Sequence, residues 1–290
     1  MPNRRATKRA ICDPIEGCVY CGAVGGVYSD EHVIPAGLDG TWTIPKASCG
    51  SCQVVTSGFE QQVLRGFLHV PRVAMGSFTR RPSQRPATLP ICIDNVEYDV
   101  PVDEHPASLV LVDFVPPAIE TGELGRQGIR LRSYQIASDL SKVRALVNTR
   151  VRPAAKPTGV LGGETHEIGG SAEFSHSQLA AFVRLLAKIA HCLAIARLGT
   201  ERMADTFLVP LILGRDTNYN HLVGSVCIEQ PVSLLPQATW MPEAPPFPGQ
   251  QETHRVSLVR ERGFWVSYIQ LYRNRFVGRG PIYKAYVCGA

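Results

Sequence analysis

No stretch of this chain is both long and free of charge. The most apolar run, LAAFVRLLAKIAHCLAIARLG, carries Arg184, Lys188, His191 and Arg197, which argues against a membrane span. The basic start, MPNRRATKRAICDPIEG, has no apolar run behind it and does not read as a secretory signal. There is no internal repeat and no long low-complexity run. Charged residues make up only 19% against 44% hydrophobic, so a sizeable core can form and global disorder is excluded. Acid is missing between Glu60 and Asp94, where Arg65, Arg72, Arg80, Arg81 and Arg85 fall. Lys and Arg are missing in turn from residues 92 to 125, which hold eight acids.

The net charge of +5 therefore sits unevenly. Residues 1–90 hold ten Lys or Arg against six Asp or Glu, a balance of +4. A localised positive patch attracts polyanions such as nucleic acid, although a Pro-rich stretch such as FTRRPSQRPATLP also suits a solvated linker. Nine cysteines without a secretory signal predict a reducing, cytoplasmic compartment.

With 290 residues there is room for two modest domains or one large one. Residues 1–12 read as a basic tail. Residues 13–66 hold two cysteine pairs and end in a helix, with Val55, Phe59, Val63 and Phe67 spaced by four. Residues 67–90 read as a linker punctuated by Pro71, Pro82, Pro86 and Pro90. Residues 91–290 read as an α+β domain. In it, ICIDNVEYDVPV predicts a hairpin, and SLVLVDFV, GIRLRSYQI, HRVSLVR, FWVSYIQLY and IYKAYVC predict further strands. Residues 177–198 predict one long helix with Ser177 as N-cap and Gly199 as its stop, and residues 153–171 predict a loop.

The pairs Cys18/Cys21 and Cys49/Cys52 each have two residues between the cysteines. That spacing lets a tight knuckle aim two sulfurs at one metal, and four thiolates suit a closed structural Zn2+. Such an ion stabilises about fifty residues that bury too little apolar surface alone. The other five cysteines (Cys12, Cys92, Cys192, Cys227, Cys288) are scattered and read as ordinary thiols.

A closed zinc leaves the segment SDEHVIP unexplained. Asp30 and Glu31 precede His32. A hard cation such as Mg2+ prefers carboxylate oxygens, and a neutral imidazole beside it can take a proton from water. That combination suits metal-assisted hydrolysis of a phosphodiester.

CVYCG, SDEHVIP, GLDG and ASCGSCQ, in that order, resemble the HNH endonuclease superfamily in its zinc-knuckle form, over roughly residues 15–65. The resemblance implies a ββα-metal fold: two short antiparallel strands and a helix around one catalytic divalent ion, Mg2+ or Mn2+. It makes His32 the general base, Glu31 the acidic metal ligand, and Cys18, Cys21, Cys49 and Cys52 the zinc ligands. Gln53 stands where the family usually has Asn or His as a further ligand, and Ile44 stands where it has a central Asn. Gln53, Thr56 or Asp30 would have to complete such a site.

The expected architecture is thus α+β, with a small N-terminal zinc-stapled ββα-metal module followed by a larger α+β domain. The expected function is a metal-dependent endonuclease acting on nucleic acid, DNA foremost, gripped by Arg65, Arg72, Arg80, Arg81 and Arg85. Two alternatives stay open: a zinc module that binds nucleic acid without cutting it, and an interaction scaffold. The polar positions Arg184, Lys188 and His191 read as a polar stripe on a buried helix, with phosphate contact as the alternative.

Overall fold

The computed structural model describes residues 8–66, 68–93, 96–105, 112–122, 129–131, 168–169, 175–201, 206–219, 221–226, 253–272 and 281–290. Helix and strand are mixed, as an α+β chain requires. The N-terminal part holds β1 (Arg9–Ala10), β2 (Tyr28–His32), β3 (Trp42–Cys49) and α1 (Gly50–Arg65). β3 is the central strand, parallel to β1 and antiparallel to β2, with His32 opposite Thr43 and Glu31 opposite Ile44. β3 runs directly into α1, and Cys49 caps the helix in an extended conformation.

The buried face of α1 is Cys52, Thr56, Phe59 and Val63. This differs from the expected stripe by rotation: Val55 is only half-buried, and Phe67 lies outside the described residues. The difference arises because α1 packs against β3 on one side and a second long helix on the other.

Residues expected as a linker instead form α2 (His69–Ala74) and a short turn at Pro82–Gln84. Leu68 is fully buried, and Pro71 and Val73 are buried too. Arg72 ties this segment down, donating to the carbonyls of Leu64 (2.8 Å) and Phe78 (3.3 Å) and also to that of Gly37.

The rest comprises β4 (Thr88–Ile93) and β5 (Val96–Pro101), which form the expected antiparallel hairpin. The intervening Asp94 and Asn95 lie outside the described residues. Then come β6 (Val112–Phe114), α3 (Ala118–Thr121), β7 (Ile129–Leu131) and β8 (Ile168–Gly169). Most of the expected loop at 153–171 lies outside the described residues, and its Ile168–Gly169 joins β4 as a short strand. After α4 (His176–Leu198) and α5 (Leu208–Ile212), strands β9 (Val223–Ser225), β10 (Arg255–Glu261), β11 (Phe264–Gln270) and β12 (Tyr283–Gly289) form an antiparallel sheet ordered β10-β11-β12-β9.

The N-cap of α4 is Ser175, not the expected Ser177. Ser175 Oγ accepts the Gln178 N–H, and Gln178 Oε1 accepts the Ser175 N–H. This reciprocal box satisfies two otherwise orphaned donors, and only Ser175 has a glutamine three residues on. α4 is long and apolar enough to cross a membrane, but 78% of that window is buried inside the protein. It packs on β10, β11 and β12 with one side and on α1 with another.

One apolar core runs from Cys18 and Tyr20 through α1 and α4 to Val287 and Cys288. The N-terminal ββα segment and the β9–β12 sheet share α4 as a common wall.

Candidate functional site

The knuckle at residues 17–24 is built by its own backbone. The Cys18 N–H bonds the Ala23 carbonyl and the Gly22 N–H bonds the Cys18 carbonyl, both at 2.9 Å. Gly22 sits at φ 71°, a conformation that costs glycine nothing. Cys18 and Cys21 come from this knuckle, Cys49 from the end of β3, and Cys52 from the first turn of α1. Their four sulfurs lie within 4.8 Å of one another, with Cys21 and Cys49 at 3.7 Å. Four sulfurs about 2.3 Å from a central Zn2+ would stand about 3.8 Å apart, so the donor set and its spacing fit a structural zinc. The Ser51 hydroxyl and the Cys52 N–H hold the Cys49 thiol down to about 6, while burial pushes the Cys18 and Cys52 thiols up.

The residues between Cys18 and Cys21 dock on α4. Tyr20 stacks on His191 and its hydroxyl meets Cys192 Sγ at 3.4 Å. His191 Nε2 is 2.8 Å from the Val19 carbonyl. One turn earlier on α4, Lys188 reaches β2 and α1, and Arg184 lies over the Phe59 ring at 4.8 Å. The polar residues of α4 are therefore the buried stripe that holds the ββα segment, and Lys188 and His191 are fully buried.

Beside this seam opens a cavity of about 820 Å³. His32 lines it from the end of β2, and Gln53, Thr56, Ser57 and Glu60 line it from one face of α1. All five arginines picked out by the charge distribution line it as well. Arg65, Arg80 and Arg81 are exposed. Arg85 donates to the Ser77 carbonyl, and Arg72 is committed to backbone carbonyls. The basic window is thus a cavity wall.

No protein-family model, curated protein or solved structure matches this chain. The reading of the site rests on its own geometry.

His32 is half-buried, and its Nδ1 is shut off from solvent with no hydrogen-bond partner among the described residues. Burial, helped by Lys188 and Lys8, pushes the imidazole down to about 4, against an opposing pull from Glu31 and a hydrogen bond with the Gly40 backbone. The ring is therefore neutral at pH 7. Gln53 is exposed on the first turn of α1. Asp30 stays at the surface beside Lys8 at 3.4 Å. Ile44 is fully buried, so the position that carries a central Asn in the resembled family is a core residue here.

Glu31 is where the geometry departs from the resemblance. Its carboxylate is buried and pairs with the Lys188 ammonium at 2.8 Å. Lys188 also pairs with Glu60 at 2.8 Å and donates to the His32 carbonyl. A carboxylate already spent on a buried ammonium does not fit the role of a free ligand for Mg2+ or Mn2+. Lys188 and Glu60 escaped notice in the sequence as site residues. The signal was a charge repeated at i and i+4 on an otherwise apolar helix, which demands buried partners, and the last acid before the basic window.

Proposed function

We propose that this protein hydrolyses phosphodiester bonds of nucleic acid, DNA foremost, at the arginine-lined cavity, as an HNH-type endonuclease with His32 as general base. The observation that carries this reading is His32, an imidazole held neutral by burial, which lines the cavity together with Arg65, Arg80, Arg81 and Arg85. The arginines would take a phosphate by paired N–H donors. The His32 imidazole would accept a proton from water as the water oxygen attacks phosphorus, and the bond from phosphorus to the leaving sugar oxygen would break, with that oxygen protonated by solvent. Guanidinium groups would offset the charge gathering on the phosphoryl oxygens. In this reading the ion held by the four cysteines is structural: it fixes the knuckle and the start of α1, and hence where Gln53 stands in the cavity wall. The resembled family adds a divalent ion at the acid beside the base. Here Glu31 is spent on Lys188, so the cavity does not offer that ligand.

A second reading is a zinc module that binds nucleic acid without cutting it, and the pairing of Glu31 with Lys188 favours it. The test is nicking of supercoiled plasmid by zinc-loaded protein, with and without added Mg2+, beside His32→Ala. Cleavage by the wild type that His32→Ala loses supports the nuclease. Binding by both proteins with cleavage by neither supports the binding module and overturns the nuclease. Neither binding nor cleavage overturns both, leaving the scaffold alternative.

A further inference from the structure

Three oxygens converge on the Lys188 ammonium: Oε1 of Glu31 at 2.8 Å, Oε1 of Glu60 at 2.8 Å, and the backbone carbonyl of His32. Two carboxylates and a carbonyl around one point are the donor set a hard cation takes, and here the point is filled by a side chain. We propose that the Lys188 ammonium occupies the position a divalent ion would take, so that the cavity has no Mg2+ or Mn2+ site at Glu31 and Glu60. This deepens the reading of the cavity as the functional site and rests on it.

Four observations support the assignment. Lys188 is fully buried, so its ammonium has no solvent to retreat into if a metal arrives. Its neighbours on the same face of α4 are engaged: Arg184 donates to the Ile212 carbonyl, and His191 meets Val19. Burial alone would push the Lys188 ammonium down, yet Glu31 and Glu60 outweigh it and hold it above the usual lysine range, while burial in turn pushes the Glu60 carboxyl up. Finally, α4 is anchored by its capping box and its long buried face, so the ammonium is delivered by the core rather than by a flexible loop. An incoming dication would have to expel a charge that has nowhere else to go.

The same contacts make Lys188 a positioning residue. By bonding Glu31 and the His32 carbonyl it fixes the end of β2, and with it the imidazole.

The test is a Mn2+ titration of zinc-loaded protein followed by electron paramagnetic resonance, which reads metal binding whether or not the protein cuts DNA. Wild type, Lys188→Ala and Glu60→Gln are compared. The wild type and Glu60→Gln are expected to take up no saturable Mn2+. Lys188→Ala, with two carboxylates facing each other, is expected to gain one saturable ion. Should Lys188→Ala fail to fold, the wild type still decides: a saturable Mn2+ signal that Glu60→Gln weakens overturns the proposal, and its absence upholds it. The nuclease reading can fail in the plasmid assay without touching this result.

Discussion

The arginine wall makes a quantitative prediction about salt. Five arginines line the cavity, but they are not equivalent. Arg72 spends its guanidinium on three backbone carbonyls, and burial pushes it down from its usual range. It holds α2 to α1 and the 36–40 turn. Arg65, Arg80 and Arg81 are exposed, and Arg85 is half-buried with one donor on Ser77. Three or four guanidiniums are therefore free for phosphates. Each neutralised phosphate adds about −0.9 to the slope of log affinity against log salt on duplex DNA, so the slope should be about −2.7 to −3.6, a loss of about 40- to 150-fold between 50 and 200 mM salt. The assay is fluorescence anisotropy of a labelled duplex over that range. The triple variant Arg65→Ala, Arg80→Ala, Arg81→Ala should bind weakly and lose about 2.7 from the slope while melting like the wild type. Arg72→Ala should instead lower stability by about 1–3 kcal/mol through unsatisfied buried carbonyls. A triple variant that keeps the wild-type slope would refute the assignment of the patch.

Three further outcomes follow from particular residues. The protein should hold one zinc per chain; its removal should expose the amides of residues 17–24 and 49–53 to hydrogen exchange while α4 and the β9–β12 sheet stay protected, because the sulfurs close only the knuckle and the start of α1. His254 donates from Nε2 to the Leu38 carbonyl (2.6 Å) and accepts the Tyr272 N–H at Nδ1 (3.2 Å), and burial holds it at about 4. Its neutral form contributes stability that is complete above the unfolded value and is lost as pH falls from about 6.5 toward 4, so between pH 7.5 and 5.0 urea denaturation should show at most about 2 kcal/mol more acid loss in wild type than in His254→Gln, less to the extent that water reaches the ring. A Cβ on Gly40 would sit 1.9 Å from the Ile34 carbonyl oxygen, so Gly40→Ala should cost about 1–3 kcal/mol or more by thermal melting and displace His32, which bonds the Gly40 backbone.

The parts of this protein that were legible from the sequence are those set by short-range rules. The Cys-x2-Cys spacing, the hairpin at 88–101 and the long helix at 176–198 depend on neighbours a few residues away. The Ser175 cap was legible in principle, through Gln178 three positions on, and was missed by two residues. What was not legible depends on contacts across the chain. Asp30, Glu31 and His32 read as acids beside a base because they are adjacent in sequence. In space Glu31 points to Lys188 on α4, while Asp30 stays at the surface beside Lys8. Likewise, charge counting picked out five arginines that line the cavity but could not tell that Arg72 serves the fold. The Pro-rich composition of 67–90 suggested a linker, whereas the burial of Leu68 and Val73 makes that segment a packed wall of the cavity.

The central claim is that His32, within this arginine wall, acts on a phosphodiester. The most direct measurement is single-turnover cleavage of an end-labelled DNA duplex by zinc-loaded wild type and His32→Ala, with both proteins brought to equal occupancy by anisotropy. The account predicts cleavage by wild type and loss of about 100-fold or more in His32→Ala at unchanged binding, the range expected when a general base is removed. Equal rates in the two proteins, or no product from either at full occupancy, would contradict it.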